Sequence, residues 1–210
     1  MEIRNTRIYG LAESIYASGY PMMTSAPTEE EFLIGTKSIK WAIENKVSNG
    51  HIKRAISLAK TKSGDGHDNF LNGIVVQFDL EIPIKMWTEA QRYHFFDFVS
   101  SMSTMHRLKD FELSYDIMDT SVDQRVIDVL NEKQIKYNNN PTSENLLELL
   151  MNTPVGMNLC ARMTTNFRQL KTMRKQRKNH RIPHWNIFCD WCDDLTMFKQ
   201  LILDYKRSNK

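Results

Sequence analysis

The run GIVVQFDLEI at residues 73–82 constrains the fold more than any other stretch. It alternates apolar and polar side chains, is rich in β-branched residues and is closed by Pro83, so it reads as a buried strand. Around it the chain is punctuated for helices. Thr28 and Glu31 make a capping box that opens a helix to about Asn45, and HIKRAISLAK makes a second after Asn49 and Gly50. Pro83 suits the first turn of a helix carrying PIKMWTEAQRYHFF. SVDQRVIDVLNEKQIKY and SENLLELLM follow, separated by the stop signal NNNP, and further helices are expected from about Thr164 to His180 and over WNIFCDWCDDLTMFKQLILDY. Residues 1–26 read as a strand followed by a loop. The pattern implies an α+β chain, mostly helical with a small mixed or antiparallel sheet, forming one domain over residues 1–210.

With 210 residues, 41% of them hydrophobic and 25% charged, the chain can bury a sizeable core without covalent staples. No stretch reaches the roughly 20 apolar residues that span a bilayer, and MEIRNTRIYG lacks the layout of a signal peptide, so a cytoplasmic location is expected. Three cysteines point to reduced thiols and not to a disulfide framework.

A net charge of +3 says little by itself, but its distribution does. Between Arg162 and Arg181 stand Arg168, Lys171, Arg174, Lys175, Arg177 and Lys178, with no acidic residue among them. Such a segment suits an anionic ligand. It also suits a nucleic-acid face, although the aromatic interleaving of a single-strand platform is missing. A solvated basic face on a helical interaction module is the plainer reading. His180, His184, Cys189 and Cys192 are zinc-ligand residue types, but the two cysteines lie beside an apolar helical stripe and paired knuckles are absent, so no metal is expected. Trp185 reads as a core anchor or as a stacking surface for a ring.

Two segments carry a resemblance. The first has Gly66-His67, then a strand, then Arg92-Tyr93-His94 followed by FFDFVSSMS; the second has Pro154, Gly156, Asn166, Arg168, Leu170 and Arg177. In order and spacing both resemble the flavin-dependent thymidylate synthases, the thymidylate synthase complementing family. The resemblance covers about a third of the chain and implies that family's fold. It implies methylation of dUMP or a related pyrimidine nucleotide, with FAD as cofactor and NADPH and methylenetetrahydrofolate as co-substrates. It also implies a homotetramer whose sites form at subunit junctions, with no membrane and no nucleic acid as partner.

Carried over residue by residue, the resemblance places His67, Arg92, His94, Asn166 and Arg168 at the flavin. Glu89, Arg92, Ser103, Arg107 and Arg177 would lie at the nucleotide, with Arg92, Ser103 and Arg177 in catalytic roles. The chemistry suits these assignments, because a nucleoside monophosphate is dianionic and arginine forks match its oxygens. On the expected helix from Thr164, Asn166 and Arg177 would share a face while Arg168 points away. Helical spacing alone offers a surface pair of Glu89 with Arg92. The chain also departs from the family. Arg-His-Arg becomes Arg92-Tyr93-His94, replacing a fixed cation with a group largely neutral at pH 7. The family's serine falls on Met102 unless the register shifts by one to Ser103, and its following arginine is unmatched, leaving Arg107 as the substitute. These losses open an alternative: a catalytically inactive nucleotide- or flavin-binding protein with a regulatory or inhibitory role.

Overall fold

A computed structural model describes residues 1–61 and 65–203. The chain is α+β, dominated by helices, with one small antiparallel sheet of four strands in the order β1-β2-β4-β3. The strands are β1 (Glu2–Tyr9), β2 (Val75–Pro83), β3 (Asp97–Ser101) and β4 (Asn158–Asn166). In β2 the expected alternation is realised: Val76, Phe78, Leu80 and Ile82 are fully buried, while Val75, Gln77, Asp79 and Glu81 between them are half-buried. The β2–β4 register is marked by Ile84 N donating to Met157 O at one end and Phe167 N donating to Ile74 O at the other.

The chain divides into two compact units. One comprises Met1–Asn5 and Phe78–Met163; the other comprises Thr6–Gln77 and the chain from Thr164. The first holds α4 (Ile84–Ala90), α5 (Thr104–Arg107), α6 (Gln124–Asn139) and α7 (Ser143–Met151). Its core joins Leu108, Leu113, Met118, Ile127, Leu130, Leu149 and Met157. The second holds α1 (Leu11–Ala17), α2 (Glu29–Glu44), α3 (Gly50–Ala59), α8 (Phe167–Arg177), α9 (His184–Asp194) and α10 (Phe198–Ile202). It buries Ile15, Ile39, Leu71, Phe167, Trp185, Phe188 and Phe198, with edge-to-face contacts between Phe167 and Phe198 and between Trp185 and Phe188.

Local chemistry explains most boundaries. The Thr28–Glu31 capping box forms in both directions and starts α2, and Asn49 caps α3 through Ile52 N. Four expectations are corrected. Residues 11–17 form helix α1 where a loop was expected, because Ala12, Ile15 and Tyr16 bury one face. The helix enters through Gly10 at φ 69°, and a Cβ there would lie 2.4 Å from Gly73 O. Helix α4 ends at Ala90, before the expected end. The chain turns, with Phe95 at φ 56°, to bury Phe96 against Phe78, and it continues as the solvent-exposed strand β3. Strand β4 runs to Asn166, so α8 begins at Phe167 and not at Thr164: Ala161, Met163 and Thr165 are buried in alternation. The last expected helix is broken at Leu195–Met197, where Met197 takes φ 68°, and it becomes α9 and α10.

Candidate functional site

The unit built on Thr6–Gln77 and the chain from Thr164 carries one group of nominated residues. Gly66, at φ 80°, turns the chain so that His67 is exposed and Asp68 is fully buried. Above this turn runs α8. Asn166 is its N-cap, not a residue within it: Asn166 Oδ1 accepts from Gln169 N at 2.8 Å, leaving the side-chain NH2 as a donor. The shared helical face expected for Asn166 and Arg177 therefore does not exist.

Arg168 and Lys171 sit three apart on α8 and both reach Asp68. Lys171 Nζ donates to Asp68 Oδ2 at 2.9 Å and to Ala59 O at 2.8 Å, while Arg168 Nη2 stands 3.4 Å from Asp68 Oδ1. Asp68 Oδ1 finds no hydrogen-bond donor among the described residues. Asp68 was not picked out from sequence, and Lys171 was read there only as one cation of the basic segment, not as a site residue. The available signals were an acid directly after Gly66-His67 and a second cation one turn beyond Arg168.

Further along α8, Arg174 and Asp193 of α9 form a two-pronged pair, one prong at 2.7 Å and the other shorter, with both side chains mostly buried. Asp193 raises the already high pKa of Arg174. Arg177 lies 4.3 Å above the ring of Trp185, with its Nη1 3.0 Å from His180 Nε2. Trp185 is fully buried, so it is a core anchor with a cation on its face and not a platform for a ligand ring. Much of the basic segment is thus matched by acid from elsewhere in the chain. Arg162 pairs with Asp79 at 3.1 Å, Arg168 and Lys171 meet Asp68, and Arg174 meets Asp193.

Two further features belong to this unit. Cys189 and Cys192 are buried in α9, and burial pushes both thiols up, Cys192 the more strongly. Among the described residues no group of three or more His, Cys, Asp or Glu is arranged to hold a metal. A groove of about 510 Å³ is lined by Tyr16, Met22, Met23, Ile34 and His51 among others. His51 is held below its ordinary range by burial and then by the Arg54 guanidinium.

The other unit carries the remaining nominees. Glu89 pairs with Lys85 at 3.1 Å, one turn back on α4. Because α4 has ended by then, Arg92 and His94 fall in the exposed turn that follows, off its helical ladder. Trp87 Nε1 donates to Leu159 O at 3.3 Å and ties α4 to β4. Ser103 is the N-cap of α5, its Oγ accepting from His106 N at 3.3 Å, and Arg107 stands 3.4 Å from Asp110. His67, Asn166, Arg168 and Arg177 are therefore in one unit, and Glu89, Arg92, His94, Ser103 and Arg107 in the other.

No protein-family model matches the sequence, and no curated protein matches it. Solved structures do match. A Helicobacter pylori flavin-dependent thymidylate synthase, ThyX, complexed with FAD and dUMP superposes with a TM-score of 0.68 at 12% identity, covering 97% of this chain and 99% of that one. A second structure of ThyX from the same organism with FAD and dUMP gives a TM-score of 0.68 at 13% identity, with 97% and 98% covered. The fold is that of flavin-dependent thymidylate synthase. At this identity the likeness establishes architecture, and the chemistry has to be argued from the residues present. Among the described residues no helix is long and apolar enough to cross a membrane.

Proposed function

We propose that this chain binds FAD and a pyrimidine nucleoside monophosphate, dUMP or a relative, and transfers a one-carbon unit to the pyrimidine. Methylenetetrahydrofolate would be the carbon source and NADPH the reductant, in a cytoplasmic homotetramer. The observation that carries this reading is a fold shared over 97% of the chain with a protein solved with FAD and dUMP. The donor chemistry of the residues supports it. His67 at the Gly66 turn, the Asn166 NH2 and the Arg168 guanidinium are hydrogen-bond donors within one unit, suited to a flavin edge and a pyrophosphate.

In this reading Arg92 and His94 join His67, Asn166 and Arg168 in holding the cofactor, which supplies a hydride when reduced. Arg177 and Arg92 grip the nucleotide and polarise its ring, Glu89 and Ser103 orient the base, and Arg107 takes part of the phosphate charge. What the protein contributes is orientation and fixed positive charge, and no protein thiol is needed.

A second reading keeps the ligands and drops the reaction. Ser103 is engaged in capping α5 and Arg107 faces Asp110, while His94 stands where the family carries an arginine. A regulatory or inhibitory binder of the same nucleotide fits those engagements. Release of tritium from 5-tritiated dUMP, in the presence of methylenetetrahydrofolate, FAD and NADPH, decides between them. Release above the no-folate control supports the enzyme; FAD and dUMP binding without release supports the binder.

A further inference from the structure

Among the described residues, Asp68 is the charged residue that is buried in its unit. It is fully buried and directly follows the exposed His67. Two cations from one face of α8 approach it unequally. Lys171 is held at both ends of a short bridge, 2.9 Å to Asp68 Oδ2 and 2.8 Å to Ala59 O, and its side chain is 19% exposed. Arg168 has only the 3.4 Å approach to Oδ1, an oxygen that accepts no hydrogen bond among the described residues, and its side chain is 35% exposed. A buried carboxylate is costly unless cations face it, and among the described residues both of those cations come from α8.

We infer that Asp68 is a positioning residue for an anion grip: it anchors Lys171 as a fixed strut and aims the guanidinium of Arg168 at a phosphorylated ligand. This rests on the FAD reading above and extends it to Asp68 and Lys171. Lys171 neutralises the carboxylate and locks it to the end of α3, so the pair is part of the scaffold. Among the described residues Arg168 meets an acid through its Nη2 edge at Asp68, so that edge is steered from below and the rest of the fork is offered to an outside partner. A guanidinium suits both tasks because its donors lie in a fixed planar fork, so one edge can face Asp68 while another matches a pair of phosphate oxygens. Steering removes rotamer freedom from Arg168 before the ligand arrives, which is where preorganisation raises affinity.

Asp68→Asn should shift FAD affinity in the direction opposite to that expected from charge alone. Asp68→Asn removes a negative charge beside Arg168, so if the carboxylate merely offset the basic helix, FAD would bind more tightly. If Asp68 aims Arg168, FAD binds more weakly, by roughly tenfold. FAD affinity is read by quenching of flavin fluorescence for wild type, Asp68→Asn, Arg168→Gln and the double variant, with thermal melts run alongside. Expected are weaker binding in Asp68→Asn and a double variant no weaker than Arg168→Gln alone, because the carboxylate acts through that arginine. Equal or tighter binding by Asp68→Asn, or losses that add in the double variant, overturns the inference. If Asp68→Asn does not fold, Asp68→Glu reads the same point. It keeps the charge but moves it by one methylene, and it should weaken FAD binding, whereas unchanged binding overturns the inference. Wild type that binds no FAD is a different failure, since it removes the functional reading itself before any variant is compared.

Discussion

Gly156 stands where only a hydrogen fits. It lies between α7 and β4, and a Cβ built on it would sit 2.3 Å from Val122 Cγ2, with Asp119 Cβ at 3.7 Å and Val122 Cβ at 3.8 Å. The backbone there is not in the left-handed region, so alanine is not excluded by φ; a single methyl excludes it. Carbon atoms pack at about 3.5–4.0 Å, so Gly156→Ala forces a shift of more than an ångström. The Asp119 N to Gly156 O hydrogen bond of 2.8 Å and the pairing of Met118 with Met157 resist that shift. Overpacking of this kind costs about 1–3 kcal/mol, less a few tenths returned by alanine's smaller unfolded-state entropy. For a chain of this length, about 2 kcal/mol lowers the melting temperature by about 4–8 °C. The clash involves one methyl group, so it can be removed. In Val122→Ala the Cγ2 atom is gone, and the remaining contacts at 3.7 and 3.8 Å are ordinary. The double variant should therefore melt no lower than Val122→Ala alone, as followed by circular dichroism. Additive losses would refute the steric account of this glycine.

Three further outcomes follow from the geometry. Asp193→Ala strands the mostly buried guanidinium of Arg174 and should cost about 2–3 kcal/mol in urea unfolding, most of it recovered by adding Arg174→Met; a loss below about 0.5 kcal/mol would contradict the pairing. His51 has a folded pKa below its ordinary 6.5, so the unfolded chain takes up the proton first. Its contribution to stability is full above pH 6.5 and declines as pH falls toward the folded pKa; His51→Gln should flatten stability across that window, and an unchanged slope would count against it. Cys160 is half-buried whereas Cys189 and Cys192 are buried, so a thiol reagent should modify Cys160 first in the native protein, with Cys192 reacting only on unfolding; early labelling of Cys192 would contradict the packing of α9.

Much of this architecture could be read from local rules. The reciprocal Thr28–Glu31 cap, the Asn49 cap and the alternation of Val76, Phe78, Leu80 and Ile82 are each decided within a few residues of chain. What escaped depends on distant partners. Strand β3 is exposed along its whole length and has no buried face to set a period; it is held by pairing with β4, seen where Met102 N donates to Cys160 O. Strand β4 hides its alternation of Ala161, Met163 and Thr165 ahead of a strongly helical basic run, which pulled the expected helix start three residues early. At the candidate site, Arg168 and Arg177 were legible as cations on a helix. Asp68 gains its meaning only when α8 crosses above the Gly66 turn and puts Arg168 and Lys171 beside it, a juxtaposition separated by about a hundred residues of chain.

The functional proposal stands or falls on whether this chain binds a flavin and a pyrimidine nucleotide. Equilibrium binding of FAD and of dUMP to the purified full chain, each measured for wild type and for Arg177→Ala, decides this. Wild type should bind both ligands saturably. The variant should lose at least about tenfold in dUMP affinity, the scale of one charge-assisted fork to a phosphate. Wild-type protein that remains folded and takes up neither ligand would contradict it.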